Sequence, residues 1–125
     1  MNTKNNIHSL TNNSKAKDKQ LLLNHIRKAV EKKTGLSFKT FVKICSQRVR
    51  YRVGLECFTT TNKTICKALI IPTEAGTRRK RELEKQGLLV STPKKQICPY
   101  KGSKAHYYTT NPALFDAVIN YKIDE

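Results

Sequence analysis

The chain has 125 residues, with 25 Lys and Arg against nine Asp and Glu, a net charge of +16. That length suits one ordinary domain and excludes two, and 38% apolar residues without any Trp support one modest core. The cations are spread along the whole chain and repel one another, so a polyanionic partner is their natural counterpart: nucleic acid first, an anionic membrane surface second. No apolar run approaches the roughly 20 residues of a spanning helix, so no membrane association is expected.

Residues 1–17 hold five Asn and little to bury, and read as a flexible basic arm. Residues 1–20 lack the apolar segment of a secretory leader. A cytoplasmic, nucleoid-associated protein with reduced thiols is therefore expected. Cys45, Cys57, Cys66 and Cys98 form no Cys-x-x-Cys half-site, and His8, His25 and His106 add no ligand spacing, so neither metal nor cofactor is expected.

The first helix is expected over about 18–33, capped by Asp18, with Leu22, Ile26, Ala29 and Val30 at helical spacing and Gly35 ending it. The second starts after Ser37 and buries Phe38, Phe41, Val42 and Cys45. From Val49 the apolar residues alternate with Arg48, Arg50, Arg52 and Glu56, a period of two that predicts a strand to Cys57; the competing reading continues the helix. On a strand the three arginines form one continuous phosphate-binding patch; on a helix the patch disperses.

A helix over about 62–69, capped by Thr61, buries Ile65, Cys66 and Leu69. Ile71 and Pro72 make the turn into a second helix over about 73–86, which Gly87 closes. A strand at 88–91, a turn at 92–95 and a returning strand at 96–98 follow, then a turn at 101–104, a strand at 105–109 and a last helix at 112–121 begun by Asn111-Pro112.

Helix 73–86 carries four consecutive cations. At 100° per residue, Gly76 and Leu83 fall together on the inner face with Ala75 beside them, while Thr77, Arg78, Arg81 and Lys85 point outward with Glu74. The outward set suits a DNA major groove, where Arg grips guanine with two hydrogen bonds, and these four are the expected base contacts. Arg79 and Lys80 lie on the flanks, where their heads reach phosphate. Lys94, Lys95, Lys101 and Lys104 on the hairpin and the Arg48, Arg50, Arg52 patch complete the expected backbone contacts. The plainer account of the four cations is a solvated face paired with Glu74, Glu82 and Glu84.

The order of elements over residues 61–109 resembles a winged helix-turn-helix domain, closest to those of bacterial mobile elements and phages. These pair an Arg-rich recognition helix with Glu-Leu, three residues and Gly-Leu, matched by Arg78, Arg79, Lys80, Arg81, Glu82, Leu83 and then Gly87, Leu88. The resemblance implies a mainly α fold with a small antiparallel β-wing, spanning 18–125, with the helix-turn-helix at 61–86 and the wing at 88–109. It implies a sequence-specific double-stranded DNA-binding protein, a transcriptional regulator or mobile-element accessory factor. The chain departs from the pattern in carrying Arg79 or Lys80 where many winged helices place a branched aliphatic residue. The inner face is thin, and Gly76 is expected to permit close helix packing.

The alternatives are an RNA-binding module and a protein-interaction adaptor that dimerises through the helix at 112–121. No Gly-rich phosphate loop, usefully spaced carboxylate pair or activated nucleophile is visible, so neither an enzyme nor a small-molecule ligand is expected.

Overall fold

The computed structural model of the chain describes residues 12–121, with side chains from residue 17 onward. The molecule is mainly helical with small antiparallel β-pairs. Its helices are α1 (Asn12–Thr34), α2 (Phe38–Ile44), α3 (Gln47–Cys57), α4 (Asn62–Leu69), α5 (Thr73–Lys85) and α6 (Phe115–Ile119), the last preceded by a 3-10 turn at Pro112–Leu114. Asn111 caps that turn, accepting a hydrogen bond from the Ala113 amide at 3.0 Å.

One core joins helices α1 through α5. Leu23, Ile26 and Val30 of α1, Phe41 of α2, Tyr51 and Leu55 of α3, and Ile65, Ala68 and Leu69 of α4 are all buried in it. Helices α3 and α4 pack on each other; α1 packs on both, and so does α5. Two glycines let the helices approach closely. A Cβ on Gly54 would overlap Leu69 and Ile65, and one on Gly76 would overlap the Cys66 sulfur.

Two expectations for the N-terminal half are corrected. Helix α1 begins by Asn12, so Asp18 lies inside it and not at its cap, and residues 12–17 are helical; the rest of the expected arm lies outside the described residues. The segment expected as a strand from Val49 is helix α3. Ser46 caps it by accepting from the Val49 amide at 3.2 Å. Its buried residues are Arg50, Tyr51, Gly54 and Leu55, a helical i, i+1, i+4, i+5 set in which an arginine and a glycine stand where apolar residues would advertise the period.

The hairpin region differs too. Residues 88–91 were expected to pair with 96–98. Instead β1 (Val90–Ser91) pairs with β4 (Tyr108–Thr109), and β2 (Gln96–Ile97) pairs with β3 (Lys104–Ala105). The result is one long ribbon with a break, because residues 92–95 on one side oppose only 106–107 on the other. Thr92 holds the break: its amide donates to the Tyr107 carbonyl at 2.9 Å, its hydroxyl oxygen accepts from the Tyr107 amide, and its carbonyl meets His106 Nδ1 at 2.8 Å. Thr60 adds a one-residue bridge to Tyr108, a third strand reduced to a single step.

Candidate nucleic-acid interface

The turn between α4 and α5 is made by Ile70, which closes α4 in the left-handed region at φ 58°. A β-branched residue is costly there. The cost is met by hydrogen bonds: the Ile71 amide returns to the Cys66 carbonyl at 2.9 Å, and Arg50 donates to the Ile70 carbonyl at 3.3 Å. Pro72 then starts α5 with its φ already near helical values.

A partly buried polar chain fixes how α5 lies across its neighbours. The Tyr51 hydroxyl of α3 donates to Asn62 Oδ1 of α4 at 2.7 Å; the Asn62 amide group reaches the Thr77 hydroxyl of α5 at 3.4 Å; Thr77 donates to the Thr73 carbonyl at 3.1 Å. Thr77 was expected among the outward residues, and instead it is half-buried and turned to α4. At the other end Gly87 adopts φ 73°, so that the Leu88 amide closes on the Leu83 carbonyl at 2.9 Å.

The four consecutive cations divide into two pairs. Arg78 and Arg81 are exposed, with no ion pair or hydrogen bond to another described residue, and Lys85 is likewise exposed. Arg79 and Lys80 keep side-chain exposures of only 19% and 21%, low enough to count them as part of the protein's own packing. Arg79 pairs with Glu82 at 3.5 Å. Lys80 pairs with Glu84 at 3.6 Å and stands over the Tyr108 ring of β4. Glu82 also receives a two-pronged grip from Arg48 of α3, at 3.3 Å on each oxygen. Those hydrogen bonds, with the charges of Arg48, Arg79 and Arg78, hold the Glu82 carboxyl below its usual range. Glu82 and Glu84 thus anchor the flank cations of α5 and tie it to α3, while Arg78 and Arg81 stay exposed and make no ion pair.

The arginine patch is dispersed, as a helix requires. Arg48 lies beside α5, Arg52 is exposed elsewhere on α3, and Arg50 is buried. The expectation of a phosphate contact for Arg50 does not fit its position: one guanidinium nitrogen donates to the carbonyls of Val42 and Cys45, at 3.0 and 2.8 Å, and the other to Ile70. It caps the end of α2 and the turn after α4.

The ribbon exposes Lys94, Lys95, Lys101 and Lys104. Its tip does not project. Cys98 is buried between the hydroxyls of Thr61 and Thr64 at the start of α4, at 3.0 and 3.4 Å, and Tyr100 receives Lys19 of α1 over its ring at 5.1 Å. Tip and helix enclose a cleft of about 580 Å³ lined by Asp18, Leu22 and Lys101 among others. Composition could not reveal this docking, because the latch is a single cysteine 34 residues or more from its partners.

Among the described residues no helix is long and apolar enough to cross a membrane, and no group of three or more His, Cys, Asp or Glu is placed to hold a metal. No family model matches this chain, and no curated protein or solved structure matches it.

Proposed function

We propose that this is a sequence-specific double-stranded DNA-binding protein of the winged helix-turn-helix class, with α4 and α5 as the helix pair and the ribbon as the wing. Helix α5 enters the major groove with Arg78, Arg81 and Lys85 toward base edges. The ribbon lysines lie toward phosphates, while Arg48 is held by Glu82. The observation that carries this reading is the division within α5: its acids neutralise and fix Arg79 and Lys80, leaving Arg78 and Arg81 one turn apart, exposed and unpaired on a rigid helix. A surface meant only for solubility has no reason to leave that pair bare while two acids, Glu82 and Glu84, fix its neighbours. Acting on the nucleoid as a regulator or mobile-element accessory factor accords with the sequence resemblance.

The test is binding to random duplex over a salt series, followed by selection of a preferred site. Six to ten phosphate contacts, roughly, would cost about 10³–10⁵ in affinity between 50 and 200 mM salt. A selected site whose preference persists in Arg78→Ala/Arg81→Ala overturns α5 as the reading helix. Preference for structured RNA over duplex DNA overturns the partner.

A further inference from the structure

The charge is not concentrated where the proposed groove contact lies. Residues 17–44 hold eight Lys and Arg against two acids, whereas α5 holds five against three. Three of those eight are used internally. Arg27 donates to the Ala68 and Lys67 carbonyls and stacks on Phe38, Lys33 pairs with Glu56 at 3.6 Å, and Lys19 lies over Tyr100. The other five, Lys17, Lys28, Lys32, Lys39 and Lys43, are exposed, with no ion pair or hydrogen bond to another described residue. Of the two acids on this stretch, Asp18 lines the cleft beside the ribbon tip, and Glu31 accepts from the Phe38 amide at 2.6 Å at the start of α2.

The position of these lysines follows from helix geometry. On α1, Lys17 and Lys28 fall within about 20° of the direction opposite the fully buried Ile26, and Lys32 within about 60° of it. They therefore face away from the core. Helices α1 and α5 each pack on both α3 and α4 but share no extensive contact with each other. The outward side of α1 is therefore not covered by α5. The bare lysines of α1 and the bare arginines of α5 thus stand on helices that do not pack together, and a duplex gripped by Arg78 and Arg81 does not by that contact neutralise the α1 face.

Resting on the DNA-binding reading of α5, we propose that the outer face of α1, with Lys39 and Lys43 of α2, is a second phosphate-binding surface that holds a second duplex segment, so that one molecule bridges two stretches of DNA. The chemistry of the two faces differs accordingly. Arginine on α5 offers a planar fork that can read guanine; the second face is all lysine, a set of point charges that binds backbone without regard to sequence. The bridge would join one chosen site to any neighbouring duplex.

The experiment uses the full chain, a duplex bound to beads and a second, fluorescent duplex free in solution. Protein below saturation should retain the fluorescent duplex on the beads. The variant Lys28→Gln/Lys32→Gln/Lys39→Gln/Lys43→Gln should lose retention by about tenfold or more, while single-duplex affinity measured by anisotropy changes by less than about threefold. Equal retention by wild type and variant overturns the proposal and points to bridging by dimers. A wild type that binds one duplex and never holds a second also overturns it, leaving the reading of α5 intact. Failure to bind any duplex removes both. Retention of a structured RNA but not of duplex DNA overturns the assigned occupant.

Discussion

Gly76 of α5 lies against the Cys66 thiol of α4 so closely that one added methyl group would overlap the sulfur. Cys66 is itself only 1% exposed, so the sulfur has little room to move. Gly76→Ala would gain about 1 kcal/mol in helix propensity, but overpacking a tight contact costs about 1–3 kcal/mol. A net loss of stability in urea unfolding is expected, together with partial recovery in Gly76→Ala/Cys66→Ala, where the sulfur is gone. Stabilisation by Gly76→Ala alone would show that the helices can separate at no cost. The thin inner face that the sequence shows at Ala75, Gly76 and Leu83 is thus a close helix crossing.

The two pairs of cations on α5 should respond differently to truncation. Arg78→Ala and Arg81→Ala remove exposed, unpaired side chains, so unfolding should shift within about 0.5 kcal/mol, while duplex affinity or site preference falls by about 1–3 kcal/mol each. Lys80→Ala removes a contact with Tyr108 and a pair with Glu84, and Arg79→Ala removes a half-buried packed stem. Those two should cost measurable stability. Thermal melts and anisotropy on the same four variants check the division; uniform behaviour across them would refute it.

Arg50 shows why part of the fold was not legible in the sequence. Val49, Tyr51, Val53, Leu55 and Cys57 alternate convincingly, yet the segment is a helix, because the residues that complete its buried stripe are Arg50 and Gly54. A sequence reader scores both as polar or breaking. Only the tertiary context makes them core: the glycine admits Leu69, and the guanidinium satisfies three carbonyls at once. Ser46, a good N-cap, was the available signal. The helix pair at 61–86 was legible because its punctuation is local: Thr61 caps α4, Pro72 starts α5 and Gly87 closes it. The ribbon was half legible, since turn residues mark where a chain bends but not that 92–95 bulges out while β1 reaches past to β4.

From that burial follows a prediction for Arg50. Truncation to Ala leaves three carbonyls without their donor and opens a gap between α2, α3 and the turn after α4, so a loss of about 3 kcal/mol or more is expected. Arg50→Lys should not restore it, because an ammonium cannot reproduce the fork that spans Val42, Cys45 and Ile70. Urea unfolding of the two variants tests this. A lysine variant as stable as the wild type would mean that charge alone suffices at this position.

Alkaline pH should weaken the fold through the α3–α4–α5 junction. Burial pushes the Cys66 thiol from 9.0 up to about 12, Lys63 opposing the shift, and burial also raises Tyr51 well above its ordinary value. For both groups the folded state holds its proton more tightly than the unfolded chain. Their contribution is therefore fully present below pH 9 and is lost as pH climbs toward 12. Cys98 shifts the other way. Burial alone would raise it, but hydrogen bonds from Thr61, Thr64 and the backbone at Lys101 and Tyr100 outweigh burial and bring it below 9.0. Its contribution is present above the ordinary thiol range and fades as pH falls through its own folded value. Above about pH 9 the Cys98 contribution is constant and the raised groups set the slope, so the unfolding midpoint should drop steadily between about pH 9 and 11. Cys66→Ala should flatten that decline, whereas Cys98→Ala should lower stability without changing the slope in this range. An unchanged slope in Cys66→Ala would place the alkaline sensitivity outside this junction.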